Sequence, residues 1–98
     1  MITVKTDLHS YISIEGHAGY APAGSDIVCA AVSILYETLK RILVLPMEAK
    51  FTEDEDSVQI DIHEEYLSVA GYRYLEFFLT GIEALEQACP QHVHLIRE

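Results

Sequence analysis

His17 and Cys29 are separated by eleven residues that include two glycines and a proline, and Asp26 stands three positions ahead of the cysteine. The histidine follows a short polar–apolar alternation, and the cysteine opens a long helical pattern. A thiol in the first turn of a helix meets unpaired backbone N–H groups and the positive end of the helix dipole, both of which favour the thiolate. An imidazole nearby can take the proton or hold it in an ion pair, which is the arrangement a cysteine nucleophile needs. Asp26 can cap the helix or hold the imidazole in one tautomer, but it cannot be assumed to do both, and its own charge opposes a thiolate. A cysteine in an Ile-Val-Cys-Ala-Ala run also suits an inert core residue, so the pattern alone leaves both readings open. His17 shares strand parity with Tyr11, Ser13 and Glu15. It can turn toward Cys29 only if the strand ends or bulges near Gly16.

The elements that must position these groups are legible as periodicities. Ile2 and Val4 alternate with polar neighbours, as do Ile12 and Ile14, and the two segments predict a hairpin turning around Asp7 to Ser10. The stretch from His17 to Ser25 is loop. From there a helix is expected from about Asp26, with Ser25 or Asp26 as N-cap, to about Val44, stopped by Pro46. Its core-facing seam reads Val28, Ala31, Leu35, Leu39 and Ile42, which sets Cys29, Ser33, Tyr36 and Lys40 on the flank where apolar packing gives way to polar groups.

Strands are expected again over Met47 to Thr52, with Ala49 and Phe51 on one face, and over Val58 to His63, joined by the acidic turn Glu53 to Ser57. A second long helix follows from about Glu65 to Ala88, loosened near Gly71. Its seam runs through Leu67, Tyr74, Phe78, Ile82 and Leu85 and reaches Cys89, a packed or helix-end thiol. Tyr72 and Phe77 on this helix suit either a dimer face or a wide core stripe. Pro90 ends it, and Val93 to Ile96 make a last strand. The order ββαββαβ predicts an α/β (α+β) two-layer sandwich, a mixed sheet of about five strands with both helices on one face.

Composition limits the partners. With 98 residues there is room for one domain, 1–98, and 50% hydrophobic residues are enough to fold it. Sixteen acidic residues against six basic ones leave a net charge of −10, which disfavours direct binding of nucleic acid and favours a cationic polypeptide. Seven of the acids fall between Phe51 and Glu65, which marks the most negative region; a solvated turn accounts for it most simply. The beginning of the sequence has no secretory pattern, and no apolar run is long enough to span a membrane, so a cytoplasmic protein with reduced thiols is expected. A metal site built from His9, His17, Cys29, Cys89, His92 and His94 has poor spacing, and neither a metal nor another cofactor is expected; His63 reads as solvent-exposed.

The segment GHAGYAPAGSDIVCAAVSIL, Gly16 to Leu35, resembles the signature of the ribosomal-processing cysteine protease family, Prp. A G-H-[A/S] turn, eleven residues between His and Cys, and a D-[I/V]-V-C-A-[A/G]-[V/I]-S helix start recur in that family. The FFLTGIEALEQACP helix and the element order are similar as well. The resemblance implies a homodimeric cysteine endopeptidase that removes the N-terminal extension of a basic large-subunit ribosomal protein. By position it makes Cys29 the nucleophile and His17 the general base or ion-pair partner. Asp26 and Ser33 match supporting residues, and Gly16 and Gly19 match a loop that rearranges around substrate; the loop centre, Tyr20 to Gly24, carries little of the match. The competing reading is a non-catalytic ribosome-associated module that holds a peptide in the same groove or assists assembly.

Overall fold

The computed structural model describes residues 1–7, 10–16, 19, 26–47, 50–54, 57–62 and 69–98, with only the backbone at 44–47, 69 and 70. The elements run β1 (Ile2–Thr6), β2 (Tyr11–Glu15), α1 (Ile27–Met47), β3 (Lys50–Glu53), β4 (Ser57–Asp61), α2 (Val69–Ala88) and β5 (Val93–Arg97). This is the expected order ββαββαβ. The five strands form one mixed sheet in the order β3-β4-β2-β1-β5, antiparallel except for the β1–β5 pair.

The topology explains why both helices share a face. Through α1, β2 connects to β3, and through α2, β4 connects to β5; in each case the joined strands run the same way. The two crossovers step in opposite directions across the sheet and start from strands of opposite sense, so a half-turn in the plane of the sheet relates them. The right-handed rule for such connections then sends both helices to the same side. Side-chain parity agrees. Ile2, Val4, Ile12, Ile14, Ile60 and Val93 point inward and are buried with Val28, Leu39, Leu75, Phe78 and Ile82 in a single core. The intervening Thr3, Lys5, Ser13, Gln59 and His94 leave the opposite face polar and at least partly exposed.

Two local devices hold the sheet ends. The carboxylate of Asp7 accepts the backbone N–H of Ser10 at 2.7 Å and of Tyr11 at 3.2 Å, closing the β1–β2 connection. At the β5 edge, Glu86 of α2 accepts the N–H of Leu95 at 2.7 Å and meets His94 Nδ1 at 3.1 Å, so a sheet-edge donor is satisfied by the helix above it. Arg97 pairs with Glu83 on the same helix.

The helices differ in detail from the sequence expectations. α1 keeps helical backbone through Pro46 to Met47, about a turn beyond Val44, since a proline there removes only one backbone donor near an end that is already losing its bonds. The fully buried line on α1 is Val28, Val32, Tyr36, Leu39 and Leu43, not the expected Val28, Ala31, Leu35, Leu39 and Ile42. Apolar residues occupy nearly every face of this segment, so periodicity alone could not set the rotation. Leu35 is drawn toward α2, where a Cβ on Gly81 would approach its methyl groups to 3.0 Å.

On α2, Leu75, Phe78, Leu79 and Ile82 are the buried hydrophobic residues among those described, whereas Tyr74 is exposed. Gly71 sits in continuous helix. The expected α2 start at 65–68, Leu67, Ala49, the hairpin tip at 55 and 56, and His9 and His63 lie outside the described residues. Cys89 follows α2 directly; its carbonyl accepts the N–H groups of His92 at 2.9 Å and Val93 at 3.1 Å, so it is a helix-end residue packed against the core. No disulfide joins it to Cys29. Among the described residues no helix is long and apolar enough to cross a membrane.

β2 ends at Glu15 because Gly16 takes φ +92°, where a Cβ would lie 2.3 Å from the carbonyl oxygen of Met1. That neighbour is backbone and cannot rotate away. Gly16→Ala is therefore expected to cost more than about 1 kcal/mol, lowering the melting temperature by several degrees in a thermal unfolding scan. An unchanged melting temperature would contradict this packing of the strand ends.

Candidate active site

The first turn of α1 is built on Asp26. Its Oδ1 accepts the N–H of Val28 at 3.0 Å and of Cys29 at 2.9 Å, and its carbonyl accepts the N–H of Ala30 at 3.1 Å. This is an N-cap, one of the two roles open to Asp26 in the sequence. It fixes the phase of the helix so that Val28 enters the core while Cys29 stays half-buried at its edge. The cap also engages three N–H groups around the thiol. An oxyanion formed at Cys29 must draw its donors from outside this set or displace the Asp26 carboxylate.

Cys29 opens onto a cavity of about 260 Å³. Gly16 at the end of β2 and Ser33, one turn along α1, line it together with Cys29, so three of the residues singled out in the sequence converge on one space. Ile14 and Val58 form its apolar floor, and Tyr36, Glu37, Glu53, Asp54 and Ser57 close the far end. Gly19 is exposed with φ +67°, and it is not among the lining residues. His17 and Tyr20 to Ser25 lie outside the described residues. The parity objection to His17 is nonetheless met up to residue 16. The strand has ended by then, and Gly16 stands at a positive φ.

Tyr36 and Glu53 are cavity residues to which sequence reasoning assigned no function. The signal available was that Tyr36 lies seven residues after Cys29 on the same flank, but a tyrosine there reads as an edge residue. In the structure it is 6% exposed, stacked on Phe51 with ring centroids 6.0 Å apart, and its hydroxyl has no hydrogen-bond partner among the described residues. Leaving such a group unpaired costs about 1–3 kcal/mol. Burial, reinforced by the charges of Glu53 and Glu37, pushes the hydroxyl pKa far above that of an ordinary tyrosine, so it stays protonated and can donate. The acidic turn, read from sequence as a solvated tip, places Glu53 and Asp54 on the cavity wall.

His92 and His94, the two histidines among the described residues, have structural surroundings. His94 pairs with Glu86, and His92 precedes β5 with its carbonyl accepting the N–H of Ile2 at 2.9 Å.

The model of the family described as cysteine protease Prp matches residues 1–94. The chain belongs to that family. It is accordingly a cysteine protease. Solved structures share the fold over the whole chain. An essential ribosomal processing protease Prp from S. aureus, bound to a covalently linked product peptide, has a TM-score of 0.85 and 19% identity, with 100% of both chains covered. The same protease with a substrate peptide gives 0.82 at 19% identity, again over 100% of both chains. SMU.848 from Streptococcus mutans gives 0.70 at 25% identity, covering 99% of this chain and 91% of that one. No curated protein sequence matches the chain significantly.

The cap is open to a direct test. Asp26→Ala should lower stability by about 1 kcal/mol in a denaturant titration, and Asp26→Asn should recover most of it, because the asparagine oxygen can accept the same N–H bonds. Equal losses for both would show that the Asp26 charge, not the cap, carries the effect.

Proposed function

We propose that this Prp-family protease removes the N-terminal extension of a basic large-subunit ribosomal protein, with Cys29 as nucleophile and His17 as general base and acid. What supports the reading above all is the convergence of Cys29, Ser33 and Gly16 on one cavity at the capped start of α1. The printed description of the S. aureus relative, a ribosomal processing protease with bound substrate and product peptides, points the same way. The net charge of −10 suits a cationic substrate.

In this mechanism the Cys29 sulfur attacks the scissile carbonyl carbon as a thiolate, and a C–S bond forms as the carbonyl electrons move to oxygen. Collapse of that intermediate breaks the C–N bond, and the imidazolium of His17 gives its proton to the departing amine. Water then loses a proton to His17 and attacks the thioester, releasing the carboxylic acid and restoring the thiolate–imidazolium pair. Asp26 supports this chemistry by fixing the helix start. Ser33, exposed one turn after Cys29, borders the path of the peptide. Gly16 and Gly19, both at positive φ, bracket the segment that carries His17 and give it the backbone freedom to rearrange around substrate.

The chain acts as one domain, 1–98, in the cytoplasm, as a homodimer. Ile34 and Phe77, 64% and 72% exposed, give the helix layer an apolar outer surface that supports the pairing. Tyr72, by contrast, packs against the core.

Mass spectrometry of the extended ribosomal protein incubated with wild type should show a single N-terminal cut. Cys29→Ala and His17→Ala, each checked for folding by circular dichroism, should lose it by about three orders of magnitude or more while retaining binding. Binding by wild type without any cut would favour the non-catalytic module instead.

A further inference from the structure

The two edges of the sheet are finished differently. β5 forms one edge, and α2 meets backbone N–H groups that it turns outward: Val93 donates to the Cys89 carbonyl at 3.1 Å and Leu95 to the Glu86 carboxylate at 2.7 Å. β3 forms the other edge, and the register fixes which of its groups face outward. Ile62, just past β4, donates to the Ser10 carbonyl at 2.7 Å, and the pairs Ile60–Ile12 and Val58–Ile14 continue that ladder in the same phase, so these residues direct their backbone bonds to β2. Gln59 and Asp61 therefore bond to Thr52 and Lys50 of β3, and the Asp54 N–H donates to the Ser57 carbonyl at 2.7 Å in step with them. The N–H and C=O groups of Phe51 and Glu53 are left pointing away from β4, about 7 Å apart, along an edge with no further strand among the described residues.

This bare edge is also held in place. The Phe51 ring stacks on Tyr36 of α1, and the Lys40 ammonium lies 4.0 Å from its centroid, so β3 is anchored through an inward side chain while its outer backbone stays open. Four consecutive residue pairs join β3 to β4 without a bulge, and β3 contains no proline. At the end of the strand Glu53 lines the Cys29 cavity. The chain around the edge is acidic, with seven carboxylates and no lysine or arginine between Phe51 and Glu65.

We infer that the outer edge of β3 is a docking strand for the substrate, to which a basic peptide segment adds in extended form before it enters the Cys29 cavity. The inference rests on the protease reading and supplies what that reading leaves open, how so small a protein holds the chain away from the cut. Alternate residues of the segment exchange N–H···O=C bonds with Phe51 and Glu53, and the carboxylates around them favour basic segments over others. Added at the edge, the segment stands three strand spacings from β2, about 14 Å, so about four extended residues lead it past Asp54 and Ser57 to Cys29.

A synthetic peptide spanning the junction of extension and mature ribosomal protein, with one backbone N-methyl group moved from residue to residue, tests this. Its binding to Cys29→Ala is read by titration, and its cleavage by wild type is read by mass spectrometry. N-methylation removes a donor and leaves the side chain alone. Affinity should fall about tenfold at alternate residues, beginning about four positions from the cut, and stay within about twofold of the parent at the residues between them. Glu53→Pro deletes an outward N–H that the sheet does not use, so the fold should hold, while binding should fall about tenfold below that of Glu53→Ala, which keeps the N–H.

Cleavage by wild type with no such alternation overturns the docking strand and leaves the protease reading standing. Alternation in binding, with no cleavage by wild type, supports the docking strand and overturns the proposed catalytic role. If Glu53→Pro changes the oligomeric state in analytical ultracentrifugation and the alternation is missing, the edge pairs with a second copy and the inference fails. A peptide neither bound nor cut sinks both readings.

Discussion

The Asp26 carboxylate at the head of α1 is the contact on which the site depends. By accepting the N–H groups of Val28 and Cys29 it fixes where the helix begins. With the start and the helical period given, every later residue on α1 has its direction. Val28, Val32, Leu39 and Leu43 go into the core, Cys29 and Ser33 border the cavity, and Tyr36 closes its far end. A slip of one residue at the cap would rotate the helix by about 100° and carry the thiol away from the cavity. The same contact limits the chemistry, because the N–H groups it satisfies are those that a thiolate or an oxyanion beside Cys29 would otherwise use.

The sheet supplies the second half of the frame. β2 runs beneath α1 and stops at Glu15, since Gly16 turns left-handed against the carbonyl of Met1. Strand end and helix start thereby stand on one cavity, and the segment between them is short. Cys29 on the helix and Gly16 at the strand end share that cavity, and the proposed His17–Cys29 pair rests on this frame.

Charge is distributed to match. The polar outer face of the sheet mixes Lys5 and His94 with neutral residues, whereas the β3–β4 hairpin concentrates carboxylates at one end of the cavity. Part of that charge meets the bulk of the solvent, and part of it, at Glu53 and Asp54, borders the cavity. Such a field draws cationic chains toward the protein over a distance.

Much of this was legible in the residues themselves. Alternation at Ile2 to Val4, Ile12 to Ile14 and Val58 to Ile62, together with helical spacing on both sides of the acidic turn, determined the element order. The Gly-His turn, the spacing to Cys29 and the Asp-Ile-Val-Cys helix start carried the family resemblance. Local signals suffice for such features because capping, alternation and glycine turns are set by neighbours in the chain. The rotation of α1 was not legible, because its apolar residues cover most of its circumference and only contact with α2 and the sheet selects the buried line. The burial of Tyr36 was hidden for the same reason: it lies on a flank that sequence marks as an edge, and Phe51 from a distant strand stacks on it. The sequence by itself determined which groups could react and which elements would bear them. Tertiary structure decided which of them share a cavity, since that depends on strands brought together by crossovers many residues long.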